Sequence, residues 1–226
     1  MLCLYLQAPF AVFRTFITGS FRPTAEFVTP SAAYGLLLNV AGIEMRADEQ
    51  QLMTLIKRDL PRIQLAIGAL SFPSQHSVYQ QLHNYPVGDT GKEHAPDTKG
   101  NKYNITPVRR SFLSDIKAFI CIDGDAQLES RIRMGLRGKS DRRYGLPFLG
   151  DNNFMIDRLE VVDKLSPAFW YELVTGYHDS GLIRHITRLT ITIDRADMAM
   201  TRSELFAPTE VPSVKIPKKA WIEVGY

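Results

Sequence analysis

The run Arg109–Met134, RRSFLSDIKAFICIDGDAQLESRIRM, reads as a strand, a tight turn and a helix in direct succession. Arg109-Arg110 opens the strand, which spans Ser111 to Ile122 with β-prone residues. Asp123-Gly124 turns the chain, since glycine supplies the backbone freedom a reversal needs. Asp125 then stands where a helix cap is wanted, accepting from backbone N–H groups that have no partner in the first turn. The helix runs from Ala126 to about Met134. Asp123 and Asp125 flank a glycine as metal ligands sometimes do, but a turn followed by a cap explains both.

Upstream, Thr29-Pro30-Ser31 is a helix start, with threonine as cap and proline at the first helical position. Ala32 to Val40 follows, apolar almost all round, and predicts a helix buried on most sides. Gly42 suits its end. Asp48 can cap a second helix over Glu49–Leu60, stopped by Pro61. Arg62 to Phe72 predicts a strand with Ile63, Leu65, Ile67 and Ala69 on one face. Residues 2–16 predict a strand, bent or broken at Ala8-Pro9. The stretch from Pro73 to Pro107 is long, polar and without period, which predicts a protruding hairpin or mobile finger with Lys92, Lys99, Lys102 and Tyr103 available to a partner.

Downstream, Arg131, Arg133, Arg137, Lys139, Arg142 and Arg143 stand against Asp141, a local excess larger than the whole chain's formal charge of +3. Gly135, Gly138, Gly145 and Gly150 punctuate this bend. Arginine matches phosphate oxygens in a bidentate fork, and glycine lets backbone approach a bulky partner. The pairing reads as a loop pressed against a phosphate backbone, with a solvated basic loop as the plain alternative. Asn153 to Val162 returns as a strand. The order strand, helix, strand, strand, helix, strand is the split βαβ, ferredoxin-like arrangement, an α+β fold shared with RNA-recognition modules. Later, Ser166–Val174 predicts a short helix containing Trp170, Leu189–Ile193 alternates as a strand, and the proline-bearing remainder reads as strands and loops. The division expected is a first unit over 1–165, with its insert at about 73–107, and a smaller element over 166–226.

At 226 residues, 45% hydrophobic and 23% charged, the chain has the makings of a globular protein with a full core. A pI near 8.8 permits a polyanionic partner. Cys3 and Cys121 are far apart, each in an apolar run, and read as buried reduced thiols, which fits a cytoplasmic protein. The start MLCLYLQAPF has no charged region and no cleavage site, so no secretion signal is expected, and no run approaches the ~18 apolar residues of a membrane span.

Catalytic chemistry finds little support. Gly138-Lys139-Ser140 imitates the end of a P-loop, but position 133, where its first glycine belongs, is Arg133. There is no CxxC pair and no HExxH, so neither a metal nor any other cofactor is expected. A metal-independent nuclease could draw on His76, His83, His94, Tyr85, Lys92 and Tyr103, though their spacing is not diagnostic. Trp170, Tyr171 and Tyr177 read as core or interface rather than a stacking platform.

Longer words resemble a known family. Arg14-Thr15-Phe16, Phe21-Arg22-Pro23-Thr24 and Thr29-Pro30-Ser31-Ala32-Ala33-Tyr34-Gly35-Leu36-Leu37 are similar to the N-terminal signature of the Cas-five subunits of type I CRISPR (Cascade) complexes. Gln81–Pro86, Arg109–Leu113 and Arg143–Phe154 resemble its Myxan, DevS-like (type I-B) subgroup. The resemblance implies a RAMP-superfamily, ferredoxin-like RNA-binding domain with a hairpin thumb and a small C-terminal β-rich element. It implies a non-catalytic subunit that caps the five-prime handle of the guide RNA and touches the repeated backbone subunit and the large subunit. Target DNA near the adjacent motif would be met only indirectly. The assembly would serve antiviral defence or RNA-guided transposition. Some relatives cut precursor RNA with an adjacent Lys-His pair, which this chain lacks, so a nuclease is the alternative. The residues expected at the RNA are Arg14, Arg22, Ser31, Tyr34, Lys99, Lys102, Arg109, Arg110, Arg133, Arg137, Lys139, Arg142 and Arg143. For Tyr34 a core role competes, because its helix reads as buried.

Overall fold

The computed structural model describes residues 1–15, 20–47, 54–86, 103–140, 145–174 and 185–226, with backbone alone at 82–86 and 103–106. Its centre is an antiparallel sheet with two α-helices on one face. Strand β1 (Leu2–Ala11) pairs antiparallel with the second half of β7 (Tyr103–Asp123), from Leu2 opposite Ile122 to Ala11 opposite Leu113. On its outer side β1 takes β8 (Arg158–Val161), and β7 takes β5 (Ile63–Ser71). The four strands therefore lie in the order β8-β1-β7-β5. Helix α1 (Pro30–Val40) lies in the connection from β1 to β5, and α2 (Ala126–Leu136) in the connection from β7 to β8.

Local chemistry places both helices. The Thr29 hydroxyl accepts from the Ala32 N–H at 3.2 Å, and Pro30 fills the first position. The Asp125 carboxylate accepts from the Leu128 N–H at 2.8 Å. Even-numbered Leu2, Leu4 and Leu6 of β1 point with Ile63, Leu65, Ile67 and Ala69 of β5 into the main core under α1, as strand alternation demands. Gly138, with φ +68°, closes α2: its N–H donates to the Gly135 carbonyl and the Lys139 N–H to that of Met134.

The described ends of the long polar stretch pair as the two arms of a hairpin, and 87–102 lie outside the described residues. Strand β6 (Ser74–Pro86) pairs with the first half of β7, from Ser74 opposite Ser114 to Pro86 opposite Tyr103, and residues 74–81 are all exposed. A two-residue strand, β2 (Phe21–Arg22), lies parallel to β7 on its other side.

Four expectations are corrected. Phe169–Leu173 is a strand, β9, not part of a helix. Its aromatic rings alternate between two apolar clusters, Trp170 into one and Tyr171 into the other, and only an extended chain serves both. The described end of the expected Glu49–Leu60 helix is instead β4 (Leu55–Ile56), paired with β3 (Arg46–Ala47); 48–53 lie outside the described residues. The return strand begins at Arg158 rather than Asn153, because Asp151 turns the chain by accepting the Asn153 and Phe154 N–H groups. Cys3 and Cys121 are buried as expected but joined in a disulfide, since the register sets them directly opposite on β1 and β7. The thiol argument for a reducing compartment goes with that pairing.

Strands beyond residue 165 continue the same sheet. Strand β9 pairs with β5, and β11 (Arg202–Pro208) joins β9 to β10 (Thr187–Thr192). Strand β12 (Ile222–Val224) pairs with the start of β5. On the face away from the helices, Ala168, Trp170 and Ala220 cover Cys3, Ala66, Phe119 and Cys121. Gly68 leaves room for the indole: a Cβ there would sit 2.9 Å from Trp170 Cε3.

Candidate nucleic-acid interface

The structure gathers part of the expected arginine set at the root of the hairpin. Strand β2 sets Phe21 beside Arg109 and Arg22 beside Arg110. Arg14 follows from the end of β1 and bridges to Thr24. Adjacent residues on a strand point to opposite faces, so Arg109 and Arg110 part company. Arg109 is exposed, donates to Ser77 Oγ at 3.2 Å and lies 5.8 Å from the Phe21 ring centre. Arg110 turns inward, forms an ion pair with Asp151 and lies 5.8 Å from the Phe154 ring centre.

That inward face holds an aromatic cleft of about 240 Å³. Phe112 follows Arg110 on the same face, and its ring centre lies 5.6 Å from Phe10 and 6.1 Å from Phe154. Val78 and Gln80 line the β6 side, and Asn153 the loop side. His76 stacks on the outer flank of Phe112 at 5.4 Å, with Nε2 2.8 Å from Ser114 Oγ. Phe10 and Val78 remain 43% and 42% exposed, so this cluster is open to solvent where the other end of the face is sealed.

Asp151 organises the wall. Its burial works to raise the carboxyl, but the Asn153 N–H and the Arg110 guanidinium outweigh it and hold the group below the ordinary carboxylate range. Arg14 lowers it further through space. Gly150, at φ +78°, brings the preceding backbone so close that a Cβ would collide with the Val12 carbonyl. The loop is thereby clamped to the end of β1.

The other expected residues are distributed differently. Arg133, Arg137 and Lys139 ride on the last turn of α2 and its cap, with Arg137 and Lys139 exposed. Gly135 in that turn presses on the Val40 carbonyl of α1, and Arg131 donates to the Ala41 and Gly42 carbonyls. Those close approaches are thus to the protein's own backbone. Ser31 is half-buried beside Thr29. Tyr34 is 2% exposed and its hydroxyl donates to the Pro61 carbonyl at 2.7 Å, so its side chain belongs to the core; burial raises its pKa. Lys99, Lys102, Arg142 and Arg143 lie outside the described residues.

Sequence reading did not find Phe10, Phe112, Phe154, Gln80 or Asn153 as site residues. The available signal was the i, i+2 spacing of Arg110 and Phe112, which puts a cation and a ring on one strand face. Among the described helices, none is long and apolar enough to cross a membrane.

A family model described as "CRISPR-associated protein (Cas_Cas5)" matches residues 1–139. No curated protein matches. Among solved structures, the chain is similar to one titled "CRISPR RNA-guided surveillance complex", at 14% identity and TM-score 0.59, over 97% of this chain and 95% of that one. It is also similar to "Crystal structure of Cas protein", at 16% identity and TM-score 0.50, over 96% and 97% of the two chains.

Proposed function

Because this chain belongs to the CRISPR-associated Cas5 family, we propose that it is a non-catalytic subunit of a type I effector complex that holds the five-prime handle of the guide RNA. The observation that carries this reading is the convergence of Arg14, Arg22 and Arg109 at the root of an exposed hairpin, beside an open aromatic cleft. Arginine forks fix a phosphate chain in register, and rings take up bases that are not paired. The core strand order β8-β1-β7-β5, with a helix in each crossover, supports the ferredoxin-like, RAMP-type reading of the domain. The hairpin of β6 and the first half of β7 then serves as the thumb, pinning RNA against a neighbouring backbone subunit. Arg133, Arg137 and Lys139 offer a second basic surface, for the RNA or for the large subunit. The complex works in the Myxan group's manner, for defence or for RNA-guided transposition.

Binding to the repeat RNA of its own array, measured against salt, tests this. The slope of log K against log salt is expected to be about −0.7 per phosphate neutralised on a single strand. Replacing Arg14, Arg22 and Arg109 together with alanine is expected to flatten it by about two to three phosphates' worth. An unchanged slope removes these arginines from the interface. Incubation with the same RNA in EDTA is expected to leave it intact; discrete cleavage would instead establish the metal-independent nuclease.

A further inference from the structure

We propose that the cleft walled by Phe10, Phe112 and Phe154 on one side and lined by Val78, Gln80 and Arg110 receives one unstacked nucleobase of the bound strand. This rests on the RNA-binding reading above and adds a site to it. The three rings pack against one another, with centres 5.6, 5.9 and 6.1 Å apart and no pair face to face, and together form one wall of the cleft. A ring system laid against that wall meets π-faces and edges at once, the arrangement aromatic groups favour. At about 240 Å³ the cleft is smaller than the roughly 300–1,000 Å³ that suits a drug-sized ligand. A single planar heterocycle is the right scale.

The polar groups are placed for a base edge rather than a phosphate. Arg110 lies at the Phe154 ring and is already neutralised and aimed by Asp151, so it offers directed N–H donors with little net charge. Asn153 and Gln80 contribute to the lining. Donors and acceptors together suit a Watson–Crick or Hoogsteen edge, whereas a phosphate in this aromatic lining would lose hydration without full repayment. Phosphates are accommodated next door, at exposed Arg109 and Arg14. That cationic surround also favours a polyanion over a partner protein's apolar side chain.

The experiment uses the full chain and the segment of repeat RNA that it protects, carrying one abasic site moved along the strand. For the wild-type protein, one position is expected to weaken binding about five- to 150-fold, the equivalent of 1–3 kcal/mol per stacked base. Phe112→Ala is expected to weaken binding to intact RNA by a similar factor and to abolish the penalty at that position. Phe154→Leu keeps the apolar volume and removes the π-face, so it carries the test should Phe112→Ala not fold. An abasic penalty that persists undiminished in Phe154→Leu overturns the proposal while leaving the RNA-binding function standing. So does the absence of any sensitive position. Wild-type protein that does not bind the RNA at all overturns both.

Discussion

The two ends of the helix-free sheet face are built from similar materials and used differently. At one end, Cys3, Phe119 and Cys121 lie beneath Trp170, Ala168 and Ala220, and the indole is fully buried. At the other, Phe10, Phe112 and Phe154 cluster in the same aromatic fashion, yet none of the described residues closes over them. Burying a large side chain is worth about 1.5–3 kcal/mol, so leaving such a cluster open forgoes stability that the same fold secures elsewhere. The sealed end serves the fold, and the open end is the one proposed above to take a ligand.

That contrast can be broken at several points. Trp170→Ala should cost about 3–5 kcal/mol, read as a lower urea midpoint. It should leave the salt dependence of RNA binding alone in protein that remains folded. Reducing the Cys3–Cys121 bridge, under the same sealed end, should cost about 2–4 kcal/mol, again by urea titration. If either change altered RNA affinity more than stability, the division of labour would fail. At the open end, Asp151→Asn should cost about 1–3 kcal/mol, because it removes a charge-assisted partner from Arg110. The sign of its pH dependence follows from the lowered carboxyl. The contribution is fully present above the ordinary pKa of about 3.9 and is lost as pH falls through the lower folded value. The gap between wild type and variant should therefore close in acid. Smallest of all, Tyr34→Phe should cost about 1 kcal/mol by leaving the Pro61 carbonyl without its donor, with RNA affinity unchanged.

What the residues disclose in order differs from what they disclose at a distance. Thr29-Pro30 and Asp125 announce their helices because a cap is a matter of three neighbouring residues. The alternation of Ile63, Leu65, Ile67 and Ala69 likewise announces β5 and its core face. The Trp170 strand was not legible, since a short aromatic run acquires its conformation from the clusters on both sides of it. Nor was the disulfide, which depends on a register across 118 residues. The basic bend shows a subtler limit. Glycine signals close approach but does not say to what, and Gly135 and Gly150 approach Val40 and Val12 of this same chain. The cleft requires β1, β7 and the Asp151 loop to arrive together, so no single stretch contains it.

Strand β7 is shared. Its first half belongs to the exposed hairpin and its second to the centre of the sheet, with Asp115, at φ 59°, at the changeover. No linker separates the two, so a load applied at the projecting arm travels as leverage into the most deeply embedded strand of the molecule. The cleft sits at the fulcrum. An arm rooted there and the proposed slot share one continuous backbone, so the two are built as a single lever rather than as separate parts.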